Sequence, residues 1–306
     1  MSLIIQPNEL SASRPVSALI YGQPGIGKTS LALSAPKPLL LDLDRGLYRV
    51  EKRFQCPSVQ VENYQQVLDV LGSPEIDIFE TIVVDTLGKL VDRMIDHITK
   101  SNPKLKQYDG SLAMKGWGVL KIQFQMLLSK MFDKNKNIIF VAHEREDKDG
   151  DLRFLRPDVC GSAGKDIVKE LDLMGYMEMR GMRRTISFTP TEKYYAKNSL
   201  GLSPVIEVPD MLTGNTFFSD KILSELAKKK ALETEINTKY ENLKKSQCEK
   251  IEHVSTIEDL NIVYEILQND EKLWDSELCW KKKLKEKCDS LNAVFNKNIG
   301  KFEQAI

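Results

Sequence analysis

The chain has 306 residues, and 44 lysine and arginine residues balance 44 aspartate and glutamate residues. This balance excludes a general positive field, so any contact with nucleic acid must come from a local basic surface. The five scattered cysteines form no CxxC pair, the first ten residues lack the features of a signal peptide, and no apolar run is long enough to span a bilayer. We therefore expect a cytoplasmic protein with free thiols and no membrane contact.

Short apolar runs alternate with amphipathic stretches through the first half of the chain. The runs are residues 16–21, 38–43, 81–85 and 137–143, and the stretches with helical spacing are residues 63–71, 87–98 and 117–132. Nearly continuous apolar runs are typical of strands that are buried on both faces of a parallel sheet. The alternation therefore predicts an α/β fold, in which we expect the second strand to lie beside the first.

The pattern changes after His143. Residues 170–180, 183–190 and 192–197 predict successive strands of an antiparallel extension. From about residue 219 the chain is charged and has helical spacing, Ser255 and Glu258 predict a capping box, and residues 275–302 predict a last long helix. We expect Trp274 and Trp280 to anchor the core of this part. The predicted division is a domain of residues 1–218 and a charged α-helical module of residues 219–306.

Residues 22–29 match the phosphate-binding pattern G-x-x-x-x-G-K-[ST] at every fixed position, between a predicted strand and a predicted helix. Glycines allow backbone N–H groups to point at phosphate oxygens, and the helix adds the positive end of its dipole. We expect Lys28 to reach the β- and γ-phosphates and the Thr29 hydroxyl to bind Mg²⁺. The alternative is a glycine-rich turn with a chance lysine. The candidate ATP-binding residues are Gly22, Gln23, Pro24, Gly25, Ile26, Gly27, Lys28, Thr29 and Ser30.

A P-loop site needs a second acidic group near the metal, and Asp85 ends the predicted strand 81–85. The alternative is an aspartate that only caps the next helix. Residues 85–88 also fit the D-x-x-G pattern of GTPases, but no [NT]-K-x-D guanine motif occurs. Thr86 stands where AAA+ ATPases usually carry the glutamate that polarises water. Asp44, after the second apolar run, is the candidate for that task, unless Asp42 and Asp44 merely face solvent.

Residues 21–30, 39–46, 81–90 and 138–147, in this order, resemble the RecA-like ATPase core. They are most similar to phage-type ATPases that include the Sak-type single-strand-annealing and recombination proteins. The resemblance covers roughly residues 16–209 and implies a RecA-like P-loop NTPase core with a mostly parallel sheet. It implies that Asp44, where the family usually has glutamate, is the catalytic carboxylate, and that His143 senses the γ-phosphate. For His143 the alternative is a hydrogen-bonded histidine at a strand end.

The same resemblance concerns assembly. Residues 194–204 are similar to the segment from which RecA-type subunits send a lysine into a neighbour's ATP site, and Lys197 would be that lysine. A cation supplied in this way stabilises charge on the transferred phosphoryl group. The alternative is a surface lysine in a turn. The resemblance therefore implies a homo-oligomer, either a ring or a filament.

Two segments are candidate contacts for single-stranded DNA, because cations follow the phosphate backbone and aromatic rings stack on unpaired bases. Residues 100–118 carry Lys100, Lys104, Lys106, Lys115, Tyr108 and Trp117, and residues 145–165 carry Arg153, Phe154, Arg156 and Lys165 among several aspartates. The alternative is that both are ordinary solvated loops.

These expectations combine into a Mg²⁺-dependent ATPase that acts on single-stranded DNA in recombination or replication, in an annealing or mediator role. The charged runs of the helical tail are typical of solvated helix faces. Alternatively, the tail docks a partner such as a single-strand-binding protein or aids oligomerisation. The alternative is a nucleotide-switched loader for a protein partner with little ATP turnover, which the short acid at Asp44 keeps open. A small-molecule kinase fits less well, since no lid with clustered arginines is apparent.

Overall fold

The computed structural model describes residues 15–149, 152–160, 169–210 and 215–305. The chain divides into two compact units, one over Ser13–Ala227 and one that contains Lys228–Ile306. None of the described helices combines the length and hydrophobicity that a bilayer crossing requires.

One mixed sheet organises the first unit. Its strands are β1 (Ser17–Gly22), β2 (Pro38–Asp42), β3 (Ser58–Gln60), β4 (Thr81–Asp85), β5 (Asn137–Asp149), β6 (Leu152–Pro157), β7 (Leu173–Arg180), β8 (Arg183–Ser187), β9 (Lys197–Asn198) and β10 (Val205–Val208). Their order is β10-β8-β7-β1-β5-β4-β2-β3, while β6 pairs with β5 and β9 with β7. The six strands from β7 to β3 in this order run parallel. The prediction of an α/β fold with a mostly parallel sheet is confirmed.

Both faces of the sheet are buried, which explains the continuous apolar runs. The described part of this unit contains the α-helices α1 (Lys28–Ala32), α2 (Tyr64–Gly72), α3 (Leu87–Ser101) and α4 (Met114–Phe132), besides short 3-10 turns and a π-helical turn at Phe218–Leu223. Leu19 and Phe140 share one core with Met94 of α3 and Phe124 of α4. Ile20 belongs to the core on the other face, which includes residues of α1 and Phe218. Successive residues of β1 therefore serve opposite layers.

The neighbours of two strands differ from expectation. The expected pairing of the second strand with the first is wrong, because β2 pairs with β4 and β3, and two strands separate it from β1. β7 lies parallel to β1, so it belongs to the core and not to an antiparallel extension. Its apolar start is buried and fits a central position, whereas β8 and β10 are antiparallel as expected. The strand expected at 192–197 is reduced to a bridge at Tyr194 and the two residues of β9.

The second unit contains helices and a small hairpin. Helix α5 (Ser224–Glu252) spans the division between the units, and α6 (Ile257–Asn269), α7 (Ser276–Ser290), β11 (Ala293–Asn296) and β12 (Lys301–Gln304) follow. The capping box of α6 is formed by Thr256 and Asp259, one residue later than predicted. The last helix stops at Ser290, and the hairpin replaces the rest of the predicted helix. Trp280 is fully buried as expected, but Trp274 is 62% exposed.

Candidate functional site

The glycine-rich segment leaves β1 at its carboxyl end and leads into α1. A Cβ on Gly22 would lie 2.3 Å from the carbonyl oxygen of Met177, so only glycine fits beside β7. Gly25 and Gly27 have φ angles of 79° and 97°, which other residues rarely adopt. The amides of Gly25 and Gly27 have no hydrogen-bond acceptor among the described residues. This arrangement suits an anion-binding loop. Because α1 has only five residues, its dipole is short, and we expect the amides of the loop to provide most of the attraction for a phosphate.

Lys28 is a buried cation at the centre of this loop. Its side chain is almost fully enclosed, with 5% exposure of the residue. The ammonium donates to the carbonyl oxygens of Gly22 at 2.9 Å and of Gln23 at 2.6 Å. Burial lowers the pKa of Lys28, and the charges of Asp85 and Glu144 partly offset this effect. A phosphate group would supply the negative charge that these two neutral carbonyl groups lack.

Thr29 and Asp85, the two expected Mg²⁺ ligands, are in direct contact. The Thr29 hydroxyl donates to the Asp85 carboxylate at 2.5 Å, although the two residues lie on α1 and β4. Burial is the main reason that the pKa of Asp85 is raised, and the charges of Asp42 and Asp44 add to it. A hydroxyl and a carboxylate are hard oxygen donors of the kind that Mg²⁺ prefers, so the residues present fit this ion.

Asp42 and Asp44 have different surroundings. Asp42 is buried, and its carboxylate accepts the amides of Gly46 at 2.8 Å and Leu47 at 3.2 Å. Asp42 therefore organises the turn after β2. The Asp44 amide donates to the Asp85 carbonyl oxygen at 3.2 Å, and the Asp44 carboxylate contacts Arg49 at 3.4 Å. Backbone amides bind the carboxylate of Asp42, whereas the carboxylate of Asp44 contacts a side chain, so Asp44 is the acid that is better placed to orient a water molecule.

His143 lies on β5 directly beside Gly22 in the parallel register. Its Nδ1 atom is buried and has no hydrogen-bond partner within the described ranges. The next residue, Glu144, was not among the predicted site residues. Its position directly after the apolar run 137–143 could have indicated it, because the carboxyl ends of parallel strands meet at one edge of the sheet. One Glu144 carboxylate oxygen is buried without a partner among the described residues, and its charge acts on Lys28. β5 therefore brings a histidine and a second acid to the site.

Lys197 lies away from the P-loop of its own chain. It pairs with Met174 on β7, whereas Gly22 is level with Met177, which is about 10 Å further along the strand. The Lys197 ammonium donates to the carbonyl oxygen of Lys169 at 2.9 Å. The structure thus does not bring Lys197 to the ATP site within one chain.

The first candidate DNA segment, residues 100–118, is a compact connection between α3 and α4. The Gln107 amide donates to Ser111, and the Gly110 amide donates to Gln107. Tyr108 projects fully into solvent, whereas Trp117 packs partly buried against the core. The lysines of the segment, Lys100, Lys104, Lys106 and Lys115, are exposed and form no ion pair with a described residue. The segment therefore carries four exposed lysines without ion pairs among the described residues, one exposed acid, Asp109, and one exposed ring.

The second candidate segment, residues 145–165, is not the expected loop over most of its described part. Residues 145–149 and 152–157 pair as the antiparallel strands β5 and β6. Arg153 lies 3.3 Å from Glu146, and Arg156 lies 3.1 Å from Asp147 and stacks on Tyr195. These pairs reduce the positive charge that a phosphate backbone would meet. Phe154 lies on β6, and Lys165 lies outside the described residues.

The site combines a P-loop at the end of β1, a buried lysine within that loop, and a hydroxyl–carboxylate hydrogen bond between α1 and β4. On a mostly parallel sheet with both faces covered, they define a P-loop ATPase with a RecA-like core.

The comparison with protein families agrees with this class. The model of the AAA domain family (AAA_24) matches residues 14–200, more than half of the chain, and the chain belongs to this family. It is similar to an SPbeta prophage-derived uncharacterized protein, YorG, of Bacillus subtilis (strain 168), with 24% identity over 189 residues. The match covers 58% of this chain and 58% of the length of YorG. This prophage relative supports the resemblance to phage-type ATPases.

Among solved structures, the RadB recombinase is similar with a TM-score of 0.36 and 15% sequence identity. The match covers 57% of this chain and 80% of the RadB chain. A likeness of this size says nothing about function, and the fold assignment depends on the strand order and the position of the P-loop.

Proposed function

We propose that this chain is a Mg²⁺-dependent ATPase that acts on single-stranded DNA in recombination or replication, in an annealing or mediator role. The observation that carries the nucleotide part is the buried Lys28 ammonium beside the Thr29–Asp85 hydrogen bond at one P-loop. A buried cation and a buried acid of raised pKa are costly arrangements that a bound nucleotide and metal would compensate.

Each residue has a proposed task. Lys28 would exchange its carbonyl partners for β- and γ-phosphate oxygens, and Thr29 and Asp85 would hold Mg²⁺, which would neutralise charge on the phosphates. Asp44 orients the attacking water, and the unpartnered Nδ1 of His143 is suited to contact the γ-phosphate. Glu144 is a rival of Asp44 for the acidic task, because the charge of Glu144 acts on Lys28, whereas that of Asp44 acts on Asp85.

The DNA part of the proposal is supported most by residues 100–118, which carry four exposed lysines and the exposed ring of Tyr108 within one segment. The hairpin of β5 and β6 contributes less, since its arginines are paired with acids. A labelled oligonucleotide titrated with the protein tests this part by fluorescence anisotropy. We expect tighter binding to a single strand than to a duplex, with an affinity that falls as salt rises. Equal, salt-independent binding of both would contradict it.

We propose a homo-oligomer, a ring or a filament, in which Lys197 enters the ATP site of a neighbouring subunit. The position of Lys197, away from the P-loop of its own chain, is compatible with such a role. Mixing Lys197→Ala subunits with Asp44→Ala subunits tests it, because each mixed interface can restore one complete site. Activity in the mixture above that of either variant is expected, and the absence of rescue would count against the lysine.

The second candidate is a nucleotide-switched loader for a protein partner, with slow turnover. The short Asp44 side chain, which has Arg49 at 3.4 Å, favours it, because a carboxylate one methylene shorter than glutamate reaches the attacking water less readily. Tight ATP binding with a negligible, DNA-independent rate would support the loader. In either case we propose a cytoplasmic location, given that all five cysteines are free thiols, and that the helical tail docks a partner such as a single-strand-binding protein.

A further inference from the structure

An arginine that no motif predicts lies against the P-loop. The guanidinium carbon Cζ of Arg184 lies 3.6 Å from the position that a Cβ would take on Gly27. Arg184 belongs to β8, which is separated from β1 by β7. Its side chain is 26% exposed, whereas that of its neighbour Arg183 is 75% exposed. Arg184 therefore reaches across the end of β7 to the last glycine before Lys28.

The guanidinium of Arg184 has unused hydrogen-bond donors. Its Nε atom is buried and has no acceptor in the described part of the chain. Its Nη1 atom lies 3.4 Å from the carboxylate of Asp210, which is mostly exposed. A well-formed guanidinium–carboxylate bond is about 2.7–2.9 Å long, so this contact is loose. A ligand with anionic oxygens could therefore take the place of Asp210.

The strand order shows which end of a nucleotide Arg184 would meet. Asp85 lies on β4, two strands from β1 on one side, and its bond to Thr29 marks the metal and γ-phosphate end of the site. β8 lies two strands from β1 on the opposite side. A nucleotide that extends along the P-loop would therefore have its α-phosphate end beside Arg184.

We propose that Arg184 is a nucleotide-binding residue that contacts the α-phosphate end of the nucleotide bound to its own chain. The inference rests on the proposed nucleotide site and adds a cation to it. A guanidinium presents parallel N–H groups that match phosphate oxygens, and the loop glycine lets it approach closely. Since ATP and ADP share this end of the molecule, Arg184 stabilises both complexes equally.

The test measures the dissociation constants of ATP and ADP by titration calorimetry for the wild type and Arg184→Gln. We expect Arg184→Gln to weaken both by the same factor, about tenfold to a hundredfold. The KM for ATP should rise by a similar factor while kcat falls much less. Arg184→Lys should give an intermediate loss, and it also serves if the glutamine variant does not fold.

Arg183→Gln is the matched control. It removes the same charge one residue away, at a side chain that is exposed and lies 3.4 Å from Glu207. We expect its ATP and ADP affinities to equal those of the wild type. Asp210→Asn removes the competing carboxylate, so it should bind nucleotide at least as tightly as the wild type.

The outcomes separate this inference from the proposed function. If the wild type binds neither nucleotide, the proposed nucleotide site itself fails. If the wild type binds and Arg184→Gln binds equally well, only the assignment of Arg184 fails. A loss confined to ATP, or a loss of kcat with unchanged affinity, would overturn it in favour of a contact with the γ-phosphate. If Arg184→Gln and Asp210→Asn lose the same thermal stability and keep their nucleotide affinity, the proposal fails, and the role of Arg184 is its ion pair with Asp210.

Discussion

Replacing Lys28 with methionine has two separable effects, one on the affinity for nucleotide and one on the stability of the nucleotide-free protein. The substitution keeps an unbranched chain of similar volume and removes the ammonium that donates to the Gly22 and Gln23 carbonyl oxygens. In the proposed nucleotide complex the ammonium would make charge-assisted contacts to two phosphates, each of which would contribute about 1.5–3 kcal/mol. Loss of both contacts removes at least about 3 kcal/mol, so the Kd for Mg·ATP should rise roughly a hundredfold.

The nucleotide-free protein should behave differently. Burial lowers the pKa of Lys28, which means that the folded chain disfavours the charged form. Removing the charge relieves this penalty, while the Gly22 and Gln23 carbonyl oxygens lose a donor, so the two effects oppose each other and the free energy of unfolding of Lys28→Met should stay within about 2 kcal/mol of that of the wild type. Between the lowered pKa and the ordinary value of 10.5 the folded wild type binds fewer protons than the unfolded chain, so its stability rises with pH there. Lys28→Met should lack that rise.

The assay is titration calorimetry with Mg·ATP, together with urea unfolding at several pH values. Lys37→Met is the control, because Lys37 is exposed and its ion pair with Glu80 lies at the surface. An unchanged Kd in Lys28→Met would refute the assignment of Lys28 to phosphate. A large loss of stability in the nucleotide-free variant would refute the argument from burial.

Three further predictions concern the loop, the metal and the DNA. In urea unfolding, Gly22→Ala should lower the free energy of unfolding by about 3 kcal/mol, because the added Cβ would meet a backbone carbonyl. Gly25→Ala is the control: its Cβ would have nothing within 4 Å, so only the positive φ angle costs, and the free energy of unfolding should fall by about 1 kcal/mol. Since burial raises the pKa of Asp85, the apparent Mg²⁺ affinity of the ATP complex should fall as the pH is lowered, and in titrations at several pH values Asp85→Asn should reduce this dependence to the part that the phosphates of ATP contribute. An unaltered pH profile in Asp85→Asn would contradict the assignment. Tyr108→Ala should weaken binding of a single-stranded oligonucleotide by about 1–3 kcal/mol in anisotropy, while Tyr48→Ala, another exposed tyrosine, should not; equal effects would refute stacking by residues 100–118.

Local patterns predicted the central strands β1, β2, β4, β5 and β7 and the helices α2 to α4, but not the order of the strands or the short strands β3 and β10. The run at β2 is buried on both faces whichever strands lie beside it, so its composition could not show that β4, and not β1, is its neighbour. The paired strands β5 and β6 carry mostly polar residues after His143 and therefore resembled a loop. The last helix was predicted too long because the short hairpin of β11 and β12 follows it without a proline.

In the candidate site, too, the local sequence predicted some of the contacts but not those that depend on the tertiary structure. Lys28 and Thr29 belong to one contiguous motif, and Asp85 ends an apolar strand, so their proximity could be expected. The different surroundings of Asp42 and Asp44 depend on the turn after β2, where backbone amides occupy the first acid. Arg184 comes from a strand more than 150 residues from the P-loop, and only the three-dimensional structure brings it to Gly27.

ATP turnover with and without single-stranded DNA, in the wild type and in Lys28→Ala, tests the central claim most directly. We expect the wild type to hydrolyse Mg·ATP, the rate to rise when single-stranded DNA is added, and Lys28→Ala to show neither activity. A wild type that does not bind ATP, or a Lys28→Ala variant that turns over ATP at the wild-type rate, would contradict the account. Tight binding with a negligible rate that DNA does not change would instead favour the loader.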